Sequence, residues 1–561
     1  MNPSKGAGMS IPFDISLGFH TDAGVTPNDS LVGTLAIYTL KSERTTKLPS
    51  GEDRLTNRDL AAAVQDQIVI DLRHDFDSLW SQRSIWDRGY RESRTPSCPS
   101  MLLELLSHQN FADMKYGLDP SFRFSVSRAV YKGILKYMST RYGREYAVQP
   151  LPVDNLGVRF AGERKALLTW RPVSDPHEPT AAAQGYRLYT RIDDGAFDIG
   201  RDISEWEKTD EGCVRLELDI EPGHIYSYKV AAYNDGGLGF SSETVSIGRP
   251  LDSEDSLAVL VVNNFDRVSG PAYFDTPTYA GFNNDIDSGV PYINDIAFIG
   301  QQHNCNRNLP WTDDDNPGFG ASYQDYAGYG VAGNTFDFAA VHGKALMQAG
   351  HLFYSCSNEA FCTDSTYSDG AWAVDLICGK QVTTSVGSGM RQKFTVFTSE
   401  MQEMLERFAE GGGNILVSGS YIGTDLSNSI FPVKKDSLFI DSSAKFASDV
   451  LGYKWKTSQA SRTAMVTAAR NTMVDYSGLG TFGFHNTMNP SCYSVESPDG
   501  IVPATEAGKT VLRYTDSGIS AGVGFEGKGY RTMCLGFPIE ILHNKEDIYK
   551  IIKITLDFFK K

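Results

Sequence analysis

Ser100-Met101-Leu102-Leu103-Glu104-Leu105-Leu106 sets one carboxylate inside an otherwise unbroken apolar run. A short apolar run bounded by Pro99 on one side and Ser107-His108-Gln109-Asn110 on the other reads as a buried strand over residues 101–105, with Glu104 held at its rim. The flanking sequence completes an α/β unit. Upstream lie a strand over 11–20, ending at His20, and another over 32–40. Between these and Glu104 runs a long helix, which Asn57 can cap and in which Leu60, Val64, Ile68 and Leu72 recur every four residues. A closing helix follows Asp119-Pro120 and repeats Val126, Val130, Ile134 and Met138 in the same way.

The whole chain has 561 residues, 41% of them hydrophobic and 22% charged, with 69 acidic against 52 basic side chains and a formal charge of −17. At about 150 residues per domain, that length predicts three or four domains. Phosphate contacts need clustered Lys and Arg, so the acidic balance argues against a nucleic-acid partner. No run of about 18 apolar residues predicts a transmembrane segment. Met1-Asn2-Pro3-Ser4-Lys5-Gly6 has no basic region followed by an apolar core, so no signal peptide is expected in this chain. A strand beginning near residue 11 implies that part of its domain lies upstream. Eight cysteines (98, 213, 305, 356, 362, 378, 492, 534) stand too far apart for a disulfide scaffold and leave the redox compartment open.

After the stiff Pro150-Leu151-Pro152, the period changes from helical to two. Alternating runs over 166–170, 185–189, 214–220 and 225–233 within about 100 residues predict a β-sandwich. Beyond residue 255, near-continuous apolar runs over 258–262, 296–299, 336–341, 351–354, 414–417 and 532–536 predict a parallel sheet covered on both faces. A helix over 399–410, opened by a Ser399-x-x-Gln402 capping box and closed by Gly411-Gly412-Gly413, and a last helix carrying Ile548, Ile551, Ile552, Thr555 and Phe559 fit a doubly wound arrangement.

Three resemblances follow from quoted residues. Trp170, Tyr186 and Pro222-Gly223-His224-Ile225-Tyr226-Ser227-Tyr228-Lys229-Val230-Ala231-Ala232-Tyr233-Asn234 resemble fibronectin type III domains, with Tyr226 at the tyrosine corner; such modules commonly serve as spacers or glycan-proximal adaptors. Gly412-Gly413-Asn414-Ile415-Leu416-Val417-Ser418-Gly419-Ser420 and Leu535-Gly536-Phe537-Pro538-Ile539-Glu540 resemble flavodoxin-like or glutamine-amidotransferase-like domains of large secreted Bacteroidota proteins, some labelled xanthan lyases. No lyase-type Asn/His/Tyr/Arg constellation accompanies that label.

The third resemblance carries chemistry. Gly18-Phe19-His20-Thr21-Asp22-Ala23, Gly33-Thr34-Leu35-Ala36-Ile37-Tyr38, Asn57-Arg58-Asp59-Leu60-Ala61, Asp87-Arg88-Gly89 and Pro99-Ser100-Met101-Leu102-Leu103-Glu104-Leu105-Leu106-Ser107-His108-Gln109-Asn110 occur in order. The series resembles the second half of zinc-dependent N-acetylmuramoyl-L-alanine amidases of the Amidase_3 class. The resemblance implies that His20 is the last zinc-ligand histidine, that Glu104 is the catalytic glutamate, and that Asp22, Thr21 or Arg94 support them. It also implies a Zn²⁺ cofactor, peptidoglycan or another glycan as partner, and an extracytoplasmic location. The family's first histidine and its helix glutamate have no counterpart in residues 1–10, while His74 and His108 lie elsewhere in the pattern.

The expected organisation is therefore an N-terminally incomplete α/β amidase-like domain (1–148), an all-β fibronectin type III sandwich (149–250) and an α/β doubly wound flavodoxin-like domain (251–561). Three functions remain open: amide hydrolysis in peptidoglycan; a non-catalytic envelope glycan-binding or scaffold protein with a vestigial amidase domain; or, on the label alone, a xanthan-lyase-associated protein. In the last domain, Gly419-Ser420-Tyr421-Ile422-Gly423 has the turn of a nucleophile elbow with tyrosine at the nucleophile position, and Cys356 follows a strand without the glycines. Trp311-Thr312-Asp313-Asp314-Asp315-Asn316-Pro317-Gly318 reads as a solvated acidic loop rather than a Ca²⁺ loop, and Tyr323, Tyr326 and Tyr329 after it offer sugar-stacking faces.

Overall fold

The computed structural model describes residues 13–26, 30–210, 212–251, 257–296, 303–309, 321–322, 328–386, 391–427, 433, 435–471 and 473–561. The stretch 311–318, Tyr323, Tyr326 and most of the strand expected over 296–299 lie outside these residues.

The first unit is a four-stranded sheet in the order β1 (Ser16–Asp22), β4 (Ser100–Ser107), β2 (Leu35–Tyr38), β3 (Trp86–Asp87). β1 runs parallel to β4, and β2 runs antiparallel to it. Helices α1 (Leu55–Asp75) and α4 (Pro120–Tyr142) cover one face, and the short helix α3 (Phe111–Gly117) links β4 to α4. Leu60, Val64, Ile68 and Leu72 are fully buried there against Met101 and Leu103 of β4, each burial contributing about 1.5–3 kcal/mol. Asp119 caps α4 through Ser121 N–H, and Pro120 occupies the first turn, where its missing N–H costs nothing.

Several expectations shift. β1 starts at Ser16 and runs two residues past His20, and β4 continues three residues past Glu104, so both side chains sit within strands rather than at their ends. Asn57 does not cap α1, which begins at Leu55. Its amide instead donates to Thr39 O and accepts from Ser100 N–H, tying the helix to two strands.

Strands at Asp154–Gly162, Lys165–Arg171, Gly185–Ile192, Val214–Asp219, Ile225–Asn234, Gly237–Ser241 and Val245–Gly248 build the sandwich around Trp170, Leu188, Val230 and Ile247. Glu221 N–H donates to the Tyr226 hydroxyl at 3.1 Å, the corner that the sequence implied. The sandwich is not a free spacer. Gly248 pairs with Phe353 and Gly157 with Cys356 of the following unit, and one apolar core runs from Trp170 and Val158 to Tyr354 and Val374. Gly157 is required there, because a Cβ would collide with the Tyr367 hydroxyl that bonds Thr169.

In the last unit five parallel strands lie in the spatial order Leu352–Ser357, Ala258–Asn263, Ala373–Gly379, Asn414–Gly419, Arg531–Leu535. Numbered along the chain, that order is 2-1-3-4-5. Helices α5 (Ala339–Gln348) and α9 (Lys545–Phe559) pack on one face. Helices α6 (Asn358–Thr363), α7 (Ser399–Glu410) and α8 (Ser437–Asp449) pack on the other. The run over 336–341 is not a strand: Phe336 takes a positive φ of 55° and α5 begins at Ala339. Thr398, rather than Ser399, caps α7 by accepting from Met401 N–H. An excursion after Asn263 carries Tyr273, Ala280 and Phe282 into the core of the first unit, where Phe282 meets Phe111 at 5.3 Å.

Candidate functional site

Pairing of β1 with β4 puts His20 directly opposite Glu104. Alternation sends Met101, Leu103 and Leu105 toward α1 and α4, so Leu102 and Glu104 face the other way. Cross-strand partners share a face, and the second face therefore carries Gly18, His20, Leu102, Glu104, Leu35 and Ile37, with Trp86 beside Ile37 on β3. The short helix α2 (Arg91–Arg94) lies over this face. Gly18 lets it approach, since a Cβ would stand 3.2 Å from the Glu92 Cβ and 3.6 Å from the His20 ring.

Glu104 is the electrostatically unusual group. One carboxylate oxygen, Oε2, is buried without a hydrogen-bond partner among the described residues. Burial, and secondarily the charge of Asp22, raise its pKa, while His20 and Arg83 act in the opposite sense. A carboxyl group so placed is prepared to hold a proton, the property required of a general base that later acts as an acid. The His20 side chain is half-exposed, with Nε2 4.0 Å from Glu92 Oε1.

The supporting residues are arranged differently from the expectation. Asp22 accepts from Arg83 Nη1 at 2.6 Å and from Ala23 N–H, and Thr21 bonds His108, so neither orients the His20 ring. Arg94 is exposed, gives its carbonyl to Arg54 and makes no ion pair with Glu104. The nearby cation is Arg83, whose guanidinium also lies 5.2 Å from the Trp86 ring centroid. Sequence spacing could not show this, because Arg83 reaches the site from the irregular segment between α1 and β3.

A catalytic zinc takes three protein ligands and an open position. Glu92 is the nearest second donor to His20, and among the described residues no three His, Cys, Asp or Glu donors cluster there. The described residues alone do not fit the zinc that the resemblance implies.

The last unit holds a second acid–imidazole constellation. His342 of α5 is fully buried, with Nδ1 2.7 Å from Asp375 Oδ2 and Nε2 3.4 Å from Glu540 Oε2; Glu540 also accepts from the Tyr493 hydroxyl at 2.5 Å. Burial opposes charging of the imidazole, but the two carboxylates overcome it and push the His342 pKa up to about 10. The crevice at the carboxyl ends of the parallel strands, where open α/β sheets take ligands, is filled by the protein's own charges. There Arg267 and Lys380 are buried against Asp287, and Lys380 also reaches Glu496 at 2.8 Å. Cys356 is fully buried, which raises its thiol pKa well above the usual range, and Tyr421 is buried with its hydroxyl on Ile286 O, so neither is presented as a nucleophile. Of the three tyrosines expected to offer stacking faces, Tyr329 is described and exposed. Among the described residues, Cys98, Cys213, Cys356, Cys362, Cys378, Cys492 and Cys534 form no disulfide.

No protein-family model matches the sequence, and no curated protein matches it. Solved structures similar to stretches of the chain include the CwlD amidase from Clostridioides difficile in complex with the GerS lipoprotein, at 19% identity over 23% of this chain and 55% of that one, with a TM-score of 0.18. The N-acetylmuramoyl-L-alanine amidase from Clostridium difficile 630 is 15% identical over 24% of this chain and 71% of that one, with a TM-score of 0.19. The fourth FNIII domain of human is 19% identical over 19% of this chain and 85% of that one, with a TM-score of 0.15. The chain thus spans about half the length of the first of these amidase structures.

Proposed function

We propose that this chain is a cell-wall hydrolase relative, organised as an amidase-like domain (1–148), a fibronectin type III domain (149–250) and a flavodoxin-like domain (251–561). Its first domain is directed at the amide between N-acetylmuramic acid and L-alanine of peptidoglycan, outside the cytoplasm. The observation that carries this reading is the His20–Glu104 pair, in register on one sheet face, with the Glu104 carboxylate partly desolvated and one oxygen unpartnered. Glu104 would take a proton from the attacking water and return it to the leaving nitrogen. Arg83 holds Asp22 and tempers the negative charge around Glu104.

A second reading, binding of peptidoglycan without cleavage, is favoured by the donor set around His20, which falls short of a three-ligand metal site. Digestion of purified peptidoglycan separates the two. Hydrolysis predicts stem peptides with a free L-alanine amine that disappear with Glu104→Gln; sedimentation with peptidoglycan but no released peptide establishes the binding reading. Neither release nor sedimentation would reject both.

No helix among the described residues is long and apolar enough to cross a membrane.

A further inference from the structure

The end of α1 meets a loop of the sandwich at three metal-ligating side chains that the site above does not use. His74 and Asp75 occupy the last turn of α1, and His177 lies in the loop after Lys165–Arg171. One donor atom from each lies within 4.8 Å of the other two. The two imidazole rings stand 3.9 Å apart between centroids at 70°, and His74 Nδ1 is 2.7 Å from Asp75 Oδ1.

The loop is held there by charge pairs that do not involve the three residues. Arg128 of α4 binds Asp175 at 3.0 Å, with both side chains largely buried, and Asp175 accepts from His177 N–H. Lys136 of α4 reaches Glu178 at 3.7 Å, and Lys132 closes a buried pair with Asp71 of α1 at 2.7 Å. His177 is therefore delivered to His74 by a preformed dock. Arg391 of the last unit donates to the His74 carbonyl at 3.1 Å, so all three units converge on this turn.

We propose that His74, Asp75 and His177 form a binding site for a first-row divalent metal, zinc in the first instance, that staples α1 to the sandwich. Two neutral imidazoles and a carboxylate are a ligand set that zinc accepts, with water in the fourth position. Metal–ligand bonds of about 2.0–2.1 Å set tetrahedral donors about 3.3 Å apart, so the widest pair must close by up to about 1.5 Å and the His74–Asp75 contact must open slightly, which half-exposed side chains can do by rotation. The carbonyl end of α1 adds a favourable field for a cation. The site does not depend on His20 or on any hydrolytic activity.

The test uses the full chain, stripped with chelator and titrated with Zn²⁺, and with Co²⁺ for its visible absorption. Parent protein and His20→Ala should each bind one equivalent at this site, whereas His74→Ala and His177→Ala should bind it more than about tenfold more weakly and lose the Co²⁺ band. Zn²⁺ should also raise the thermal transition of the parent, with Mg²⁺ inert. His177→Gln, which keeps a polar side chain in the loop, guards against misfolding: its metal-free transition should equal the parent's while its Zn²⁺-dependent rise is gone. Absence of zinc binding by the parent, or zinc whose affinity and Co²⁺ spectrum survive both histidine substitutions, would overturn the proposal.

Discussion

His20–Glu104 and His342–Asp375–Glu540 set the same kinds of side chain into two sheets of one chain, and they differ in how completely they are paired. In the last unit the imidazole has a carboxylate on each nitrogen, one of them also bonded by Tyr493. In the first, Glu104 keeps an unpartnered buried oxygen and the nearest carboxylate to His20 is 4.0 Å away. Both groups keep one buried oxygen without a partner among the described residues, Glu104 Oε2 and Asp375 Oδ1. The difference lies in the imidazole: His342 is held on both nitrogens in one arrangement, whereas the half-exposed His20 keeps bonding capacity for something else. By that contrast the first face is the one suited to chemistry, and the last is a lock.

The contrast breaks first at His342. Replacing it by alanine should cost about 3–5 kcal/mol in denaturant unfolding, because two buried carboxylates lose their cation. A loss below about 1 kcal/mol would mean that the network is not a lock. A smaller effect comes from pH. The folded-state value near 10 lies above the 6.5 of an ordinary imidazole, so this contribution is fully present below 6.5 and is lost as pH rises through about 10. Parent stability should fall across that window, and the His342→Ala profile should be flatter.

At Glu104 the sign reverses. The raised pKa penalises the folded protein once the unfolded carboxyl ionises, so Glu104→Gln should leave the fold equal or more stable at neutral pH. Solvent access keeps the gain below about 1 kcal/mol. Any amide hydrolysis should nonetheless fall by about a hundredfold or more. Arg83→Gln should have the smallest effect on stability. It frees the Asp22 charge and removes a cation that opposes the rise in Glu104, so the acid limb of a pH–activity profile should move upward. An unmoved profile would detach Arg83 from the site.

Much of the scaffold was legible because local pattern and packing agree. Tyr226, the runs around Val259 and Ile415, and the stripe from Leu60 to Leu72 each point to one period and keep it. The strand Ala373–Gly379 was missed because Asp375 interrupts its apolar run, and the reason for that aspartate, His342, lies 33 residues away on a helix. Residues 336–341 were misread because a short apolar run does not distinguish strand from helix. At the first site motif order singled out His20 and Glu104 by resemblance, but neither their register, which the pairing of the two strands sets, nor the cation: Arg83 comes from a segment with no periodicity, and Arg94, which looked better placed, is turned to solvent.

The bonds from Gly157 and Gly248 into Leu352–Ser357 bear on how this protein can be inherited and dissected. A sandwich that folds alone can be shuffled between genes or excised as a fragment. This one shares backbone bonds and side-chain packing with its neighbour, so cutting near residue 250 would leave raw apolar surface on both pieces. The excursion that carries Tyr273, Ala280 and Phe282 into the first core extends the same tie to that unit, so the described units should be transferred and crystallised as a single block.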